Sequence, residues 1–181
     1  MARIQPVHKN AADSAQQEIL DSVKKKMGMV PNLISTMANS PAVANAYLGF
    51  SQQLASGLLM PRLREQIALS VGEENRCDYC LAAHTALGKG AGLSEQETCD
   101  ARRAEAGNEK VQAALEFAQK IVRERGVVSD EDLQQVREAG YNDGEVAEIV
   151  ANVALNIFTN YFNHVAGTEV DFPAAPVVAE C

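Results

Sequence analysis

A chain of 181 residues with 46% apolar and 22% charged side chains has room for a sizeable core and the balance of a folded protein rather than a disordered one. A formal charge of −8 argues against a nucleic-acid partner, which needs clustered Lys and Arg, and against a polybasic membrane anchor. No apolar run approaches the roughly 18 residues that span a bilayer, and residues 1–10 lack the apolar stretch of a secretory signal, so no membrane association and a cytoplasmic location are expected.

The pattern is helical almost throughout, with no sustained period-two alternation of β-branched residues, which predicts an all-α fold in a single domain over 1–181. A first helix is predicted over 13–27, with Ile19 and Val23 on one face and Gly28 stopping it. Pro31 and Asn32 read as a turn. Ser40-Pro41 opens a second helix, Ser as cap and Pro in the first turn, running to about Gly57. Pro61 starts a third, whose Ile67, Leu69 and Val71 call for burial on more than one side. A polar break at 72–76 precedes a helix from near Cys77 to about Lys89, interrupted by Gly88, Gly90 and Gly92.

Ser94-Glu95-Gln96-Glu97 is a capping box, predicting a helix to about Ala106. Over 108–125, Val111, Leu115, Ala118 and Val122 form an amphipathic stripe. Ser129 caps a short helix ending at Gly140, and Asn142-Asp143-Gly144-Glu145 opens the longest one, from 145 to about 166. The tail, 169–181, reads as extended.

Glu65 and His84 are 19 residues apart, and so are Glu145 and His164, with Phe50-Ser51-Gln52-Gln53 and Phe117-Ala118-Gln119-Lys120 upstream of each. Two helical hairpins of common origin would produce this, only one of them keeping its thiols, and so would coincidence.

Four cysteines are too few for a disulfide scaffold, and a close pair without an export signal reads as catalytic or metal-binding. Cys77 and Cys80, at i and i+3, share a face of the first helical turn and can form a disulfide at little backbone cost. His84 lies one turn beyond Cys80 on that face, where its imidazole can hydrogen-bond the sulfur or take its proton. A helix N-terminus beside Cys77 favours thiolate. Glu65 would lie about 18 Å from Cys77 on one continuous helix, too far for proton chemistry. The break at 72–76 lets the chain fold back, however, and places Glu65 on a neighbouring helix facing His84, where a carboxylate orients an imidazole. Glu73 and Glu74 are competitors expected to be solvated within the break.

Zinc is the chemical rival, with Cys77, Cys80, His84 and Cys99 as ligands. Structural zinc draws ligands from two elements, whereas the three close ones here share one helix. Cys99 and Cys181 read as incidental thiols and His8 as a solvated side chain. His164, in an aromatic and Asn-rich stretch, reads as a packed, hydrogen-bonded histidine, and Lys24-Lys25-Lys26 as a solvated helix end suited to the macrodipole.

Glu65, eleven residues, Cys77-Asp78-Tyr79-Cys80, three residues and His84 together resemble the alkyl hydroperoxidase D (AhpD-like) family within the carboxymuconolactone decarboxylase superfamily. The closing stretch Ala154-Leu155-Asn156-Ile157-Phe158-Thr159-Asn160-Tyr161-Phe162-Asn163-His164 is similar to its peroxidase-related branch, and the resemblance covers about 20–175. It implies an AhpD-like helical bundle built from a duplicated helical unit, a homo-oligomer, and a thiol peroxidase without metal, haem or other cofactor. In those terms Cys80 is peroxidatic and Cys77 resolving, with Glu65 and His84 as proton relay. The substrate is a hydrogen or alkyl peroxide, and the reductant a dithiol such as a lipoyl group on a partner protein. Some members carry a second His inside Cys-x-x-Cys where this chain has Tyr79, a poor base, so the relay here would be shorter or run through water. Two other classes remain open: acid–base chemistry by Glu65 and His84 on a small lactone or carbonyl compound, and a non-enzymatic zinc or redox-sensing module.

Overall fold

The computed structural model describes residues 1–180. They form nine α-helices, α1 (Ser14–Met27), α2 (Asn32–Met37), α3 (Pro41–Ala55), α4 (Pro61–Glu74), α5 (Asp78–Gly90), α6 (Glu95–Arg102), α7 (Glu109–Arg123), α8 (Asp130–Glu138) and α9 (Asp143–Ala166), with short 3-10 turns at Lys9–Ala11 and Val178–Glu180. The all-α reading holds. No helix among the described residues is long and apolar enough to cross a membrane.

Helix starts follow the cap chemistry closely. Asp13, Ser94, Ser129 and Asn142 each close a capping box, the side chain accepting the N–H three residues on while that residue's side chain returns the bond. The last of these starts α9 two residues earlier than expected. α6 stops at Arg102, short of Ala106, where the chain turns through Ala104 in the left-handed region at φ 57°. Beyond the turn expected at Pro31 and Asn32, residues Asn32–Met37 form a helix, α2, that no local signal marks. Its six residues are too few to be stable alone, and burial of Leu33 to Met37 on every side supplies what propensity does not.

α4 is the axis of the molecule, packing against α5, α6, α7 and α9. Its residues from Gln66 to Gly72 are buried without interruption, the all-round burial that Ile67, Leu69 and Val71 called for. Two apolar clusters flank it. The larger joins α4 to α6, α7, α8 and α9 around Leu69, Leu115 and Ile149. The smaller lies between α1, α2, α3 and the start of α5, and contains Ile19, Leu33, Met37 and Ala44 together with Cys77, Tyr79 and Cys80. The cysteine pair therefore sits in a core, not on a surface.

The connection between α3 and α4 is held by one carboxylate. Glu148 of α9 accepts the backbone N–H of Leu58 at 2.7 Å and of Leu59 at 3.0 Å. Gly57 makes room for it, since a Cβ there would lie 2.5 Å from the Glu148 oxygens. Glu148→Ala leaves both donors without this partner and is expected to cost about 1–2 kcal/mol, the site being partly solvated. Urea unfolding would show it as a lowered midpoint at constant slope, and an unchanged midpoint would remove Glu148 from the stabilising contacts.

Candidate active site

The site grows out of the α4–α5 hairpin. α4 ends as Asn75 and Arg76 turn the chain, Arg76 in the left-handed region at φ 53°, and the Cys77 N–H closes the turn on the Gly72 carbonyl at 2.9 Å. Cys77 is the N-cap of α5, its Sγ accepting the Cys80 N–H at 3.3 Å. Its sulfur thus stands at the positive end of the helix, where unpaired N–H groups concentrate. Cys77 and Cys80 are joined in a disulfide with their Cα atoms 5.2 Å apart. The sulfur-bearing residues are 1% and 3% exposed, so an external thiol reaches them only through local opening.

The same hairpin brings Glu65 to His84. Glu65 lies on α4 and His84 on α5, the two helices of the hairpin, and His84 Nδ1 lies 2.8 Å from Glu65 Oε2. A carboxylate accepts, so Nδ1 carries the hydrogen and Nε2 of the neutral ring holds the lone pair. Both side chains are mostly buried and line a cavity of about 220 Å³, with Tyr47 and Leu54 from α3 and Leu155 and Asn156 from α9.

The side-chain hydrogen bond to the sulfurs comes from Asn163, not from His84. Asn163 Nδ2 is 3.3 Å from Cys80 Sγ and 3.9 Å from Cys77 Sγ. A disulfide sulfur has no proton for an imidazole to take, so the contact foreseen between His84 and Cys80 has no role in this oxidised state. Asn163 escaped the sequence reading, which fixed on His164 in the same stretch. The signal was present: Asn152, Asn156, Asn160 and Asn163 recur at helical spacing and are all buried, a polar stripe that α9 would not carry into a core without partners. Asn160 Oδ1 accepts from Asn75 Nδ2 at 2.8 Å, and His164 Nε2 lies 2.8 Å from the Asn75 carbonyl. α9 thereby grips the turn that presents Cys77. His164 is hydrogen-bonded as expected, but exposed rather than packed.

Glu145 and His164 do not form a second copy of the Glu65–His84 pair. They lie on one uninterrupted helix, and Glu145 bonds the Asn142 N–H and pairs with Lys110 at 3.3 Å. Glu73 and Glu74 are not solvated bystanders either. Glu73 pairs with Arg102 at 2.6 Å and Glu74 with Arg123 at 2.9 Å, tying the end of α4 to α6 and α7.

Tyr79 is buried and faces away from proton chemistry. Its oxygen accepts the Leu33 N–H at 3.2 Å, and its ring meets Phe172 edge-on at 5.9 Å. Burial, with the Asp171 charge beside it, raises the phenol far above its ordinary range. Asp171 also accepts the Asn32 N–H at 2.8 Å, so Tyr79 and Asp171 together fasten α2 and the tail to α5. The tail is extended to residue 177 but ends in a 3-10 turn at Val178–Glu180, and it is docked: Arg102 donates to the Pro176 carbonyl at 2.6 Å.

Cys99 is no incidental thiol. It is fully buried and disulfide-bonded. Cys181 lies outside the described residues. With Cys77, Cys80 and Cys99 in disulfides and His84 Nδ1 held by Glu65, the zinc donor set is engaged elsewhere, and among the described residues no three His, Cys, Asp or Glu side chains converge to hold a metal.

Residues 41–120, which contain α3, the α4–α5 hairpin and much of α7, match the carboxymuconolactone decarboxylase family. No curated protein matches the chain. Among solved structures the chain is similar to an alkylhydroperoxidase AhpD core, an uncharacterized peroxidase-related protein from Ralstonia eutropha JMP134. The TM-score is 0.85 at 23% identity over 94% of this chain and 92% of that one. A second peroxidase-related protein, from Silicibacter sp. TM1040, gives a TM-score of 0.80 at 24% identity over 92% of each chain. The debrominase Bmp8, in complex with 2,3,4-tribromopyrrole, gives 0.79 at 20% identity over 93% of this chain and 91% of that one. The family match spans residues 41–120, a stretch that contains Glu65, Cys77, Cys80 and His84, and the chain shares the AhpD-like fold of these structures over nearly its whole length.

Proposed function

We propose that the protein is a thiol peroxidase, with Cys80 as the attacking thiol, Cys77 as the resolving one, and Glu65 and His84 moving the proton. One observation carries the reading: a disulfide pair at a helix N-terminus lies one turn from an imidazole whose tautomer a mostly buried carboxylate sets. Cys80 gives its proton to His84 Nε2 and attacks the peroxide, forming Cys80–SOH while the leaving alkoxide regains the proton as ROH. The Cys77 thiol condenses with the sulfenic acid, giving the disulfide and water. An external dithiol then reduces the pair by exchange and is itself oxidised. At 1% and 3% exposure, sulfurs are more readily served by a slender dithiol such as a lipoyl arm than by a docked protein face. The same fold carries a debrominase, so the fold alone does not choose the electrophile; the thiol pair and its proton donor favour peroxide.

The test is direct. One equivalent of hydrogen peroxide or tert-butyl hydroperoxide added to the reduced protein is expected to remove two thiols, mapped by peptide mass to a restored Cys77–Cys80 disulfide. Thiols that stay reduced under excess peroxide in the folded protein would sink the reading. Turnover of a lactone surviving conversion of both cysteines to serine would instead establish acid–base chemistry by Glu65 and His84.

A further inference from the structure

We propose that Tyr47 is a further catalytic residue of this site, its phenol donating a hydrogen bond to the oxygen that leaves when Cys80 opens the peroxide bond. The proposal rests on the peroxidase reading above. Tyr47 belongs to two environments at once. It lines the cavity that holds Glu65 and His84, and its ring packs on the apolar cluster that contains Cys77, Cys80 and Ala83. Tyr47 is the aromatic side chain in that lining, and the cluster it packs against carries the two cysteines.

Its hydroxyl has no hydrogen-bond partner among the described residues. Tyr79 next door shows the contrast, because its oxygen is committed to the Leu33 N–H. A half-buried phenol with an uncommitted O–H is a donor that an acceptor in the cavity can use. Burial and then the Glu65 charge push this phenol up to about 12, so it stays protonated at any working pH. Leu54, Ala55 and Leu155 also line the cavity, among polar residues that include Arg64 and Asn152, and offer apolar surface to a short alkyl group.

The balance of the step assigns the work. As Cys80 sulfur bonds to the hydroxyl oxygen of ROOH, the O–O bond breaks and its electron pair goes to the RO oxygen. The proton that neutralises RO⁻ is the one His84 took from Cys80. Tyr47 loses nothing; it shares its hydrogen with the developing alkoxide, as a donor aimed at charge that exists only in the transition state.

That role predicts a dependence on the leaving group which a packing role does not. tert-Butyl hydroperoxide expels a strongly basic alkoxide, and peracetic acid expels weakly basic acetate. Single-turnover oxidation of reduced Tyr47→Phe is expected to slow about 100-fold with tert-butyl hydroperoxide. With peracetic acid it should stay within about twofold of wild type, on the same transition-state argument. The peracetic acid rate also reports that the variant is folded with a competent thiol. Equal slowing with both oxidants, or none with either, overturns the role of Tyr47. A wild-type pair inert to both oxidants overturns the peroxidase reading itself, a different result from the other two.

Discussion

Cys80→Ser is expected to abolish peroxide consumption, a loss of at least about 1,000-fold, whereas Cys77→Ser should still react once and stop. The two sulfurs are close to equivalent in burial and share one disulfide, so the asymmetry has to come from their neighbours. Each has an argument. Cys77 is the N-cap and takes the Cys80 amide on its Sγ, which favours its thiolate. Cys80 takes the Asn163 amide at 3.3 Å rather than 3.9 Å and stands one turn from His84. Peroxide cleavage needs both a thiolate and a proton for the leaving oxygen. Only Cys80 has an imidazole within a turn on its own helix face to take the first proton and deliver it, and that decides the assignment. With Cys77→Ser, one equivalent of peroxide should remove one thiol and leave a sulfenic acid on Cys80 that dimedone traps, since no resolving thiol remains. Dimedone adduct on Cys77 in the Cys80→Ser variant, with the Cys77→Ser variant inert, would reverse the roles.

The part of the site that could be read from residues was the part written in local spacing. Cys77, Cys80 and His84 fall within two turns of one helix, so their shared face follows from helical geometry alone. Glu65 needed one more step, the polar break that lets α4 and α5 pack antiparallel, and that break was visible as 72–76 even though α4 runs on to Glu74 within it. Contacts carried by distant segments were not visible. Asn163 reaches the sulfurs from 83 and 86 residues away, and Tyr47 lines the cavity of Glu65 and His84 from α3. Such placements depend on how helices cross, which a periodicity argument does not supply. The caps tell the same story. Asp13, Ser94, Ser129 and Asn142 act within three residues and mark their helix starts locally, whereas α2 is held by α3, α9 and the tail, and nothing local marks it past the turn at Pro31 and Asn32. Glu73 and Glu74 were misjudged for that reason: their arginine partners sit on α6 and α7.

Glu65→Gln is expected to slow thiol oxidation by about 100-fold or more while leaving the fold intact. The substitution keeps size and shape, and an amide oxygen can still accept from His84 Nδ1, so the ring need not turn. What disappears is the negative charge 2.8 Å from that nitrogen. The imidazole is neutral before and after the step and positively charged only while it holds the Cys80 proton. A carboxylate that faces the charged form therefore stabilises the transition state more than the resting state, which is the condition for acting on the rate. Partial burial keeps water from replacing that charge, since the two side chains are only 22% and 23% exposed. The measurement is the observed rate of Cys77–Cys80 disulfide formation under excess tert-butyl hydroperoxide, beside the urea midpoint of the reduced protein. A rate that falls with an unchanged midpoint places Glu65 in the proton relay. A rate equal to wild type would leave the carboxylate as a packing partner of His84 and require Cys80 to lose its proton without it.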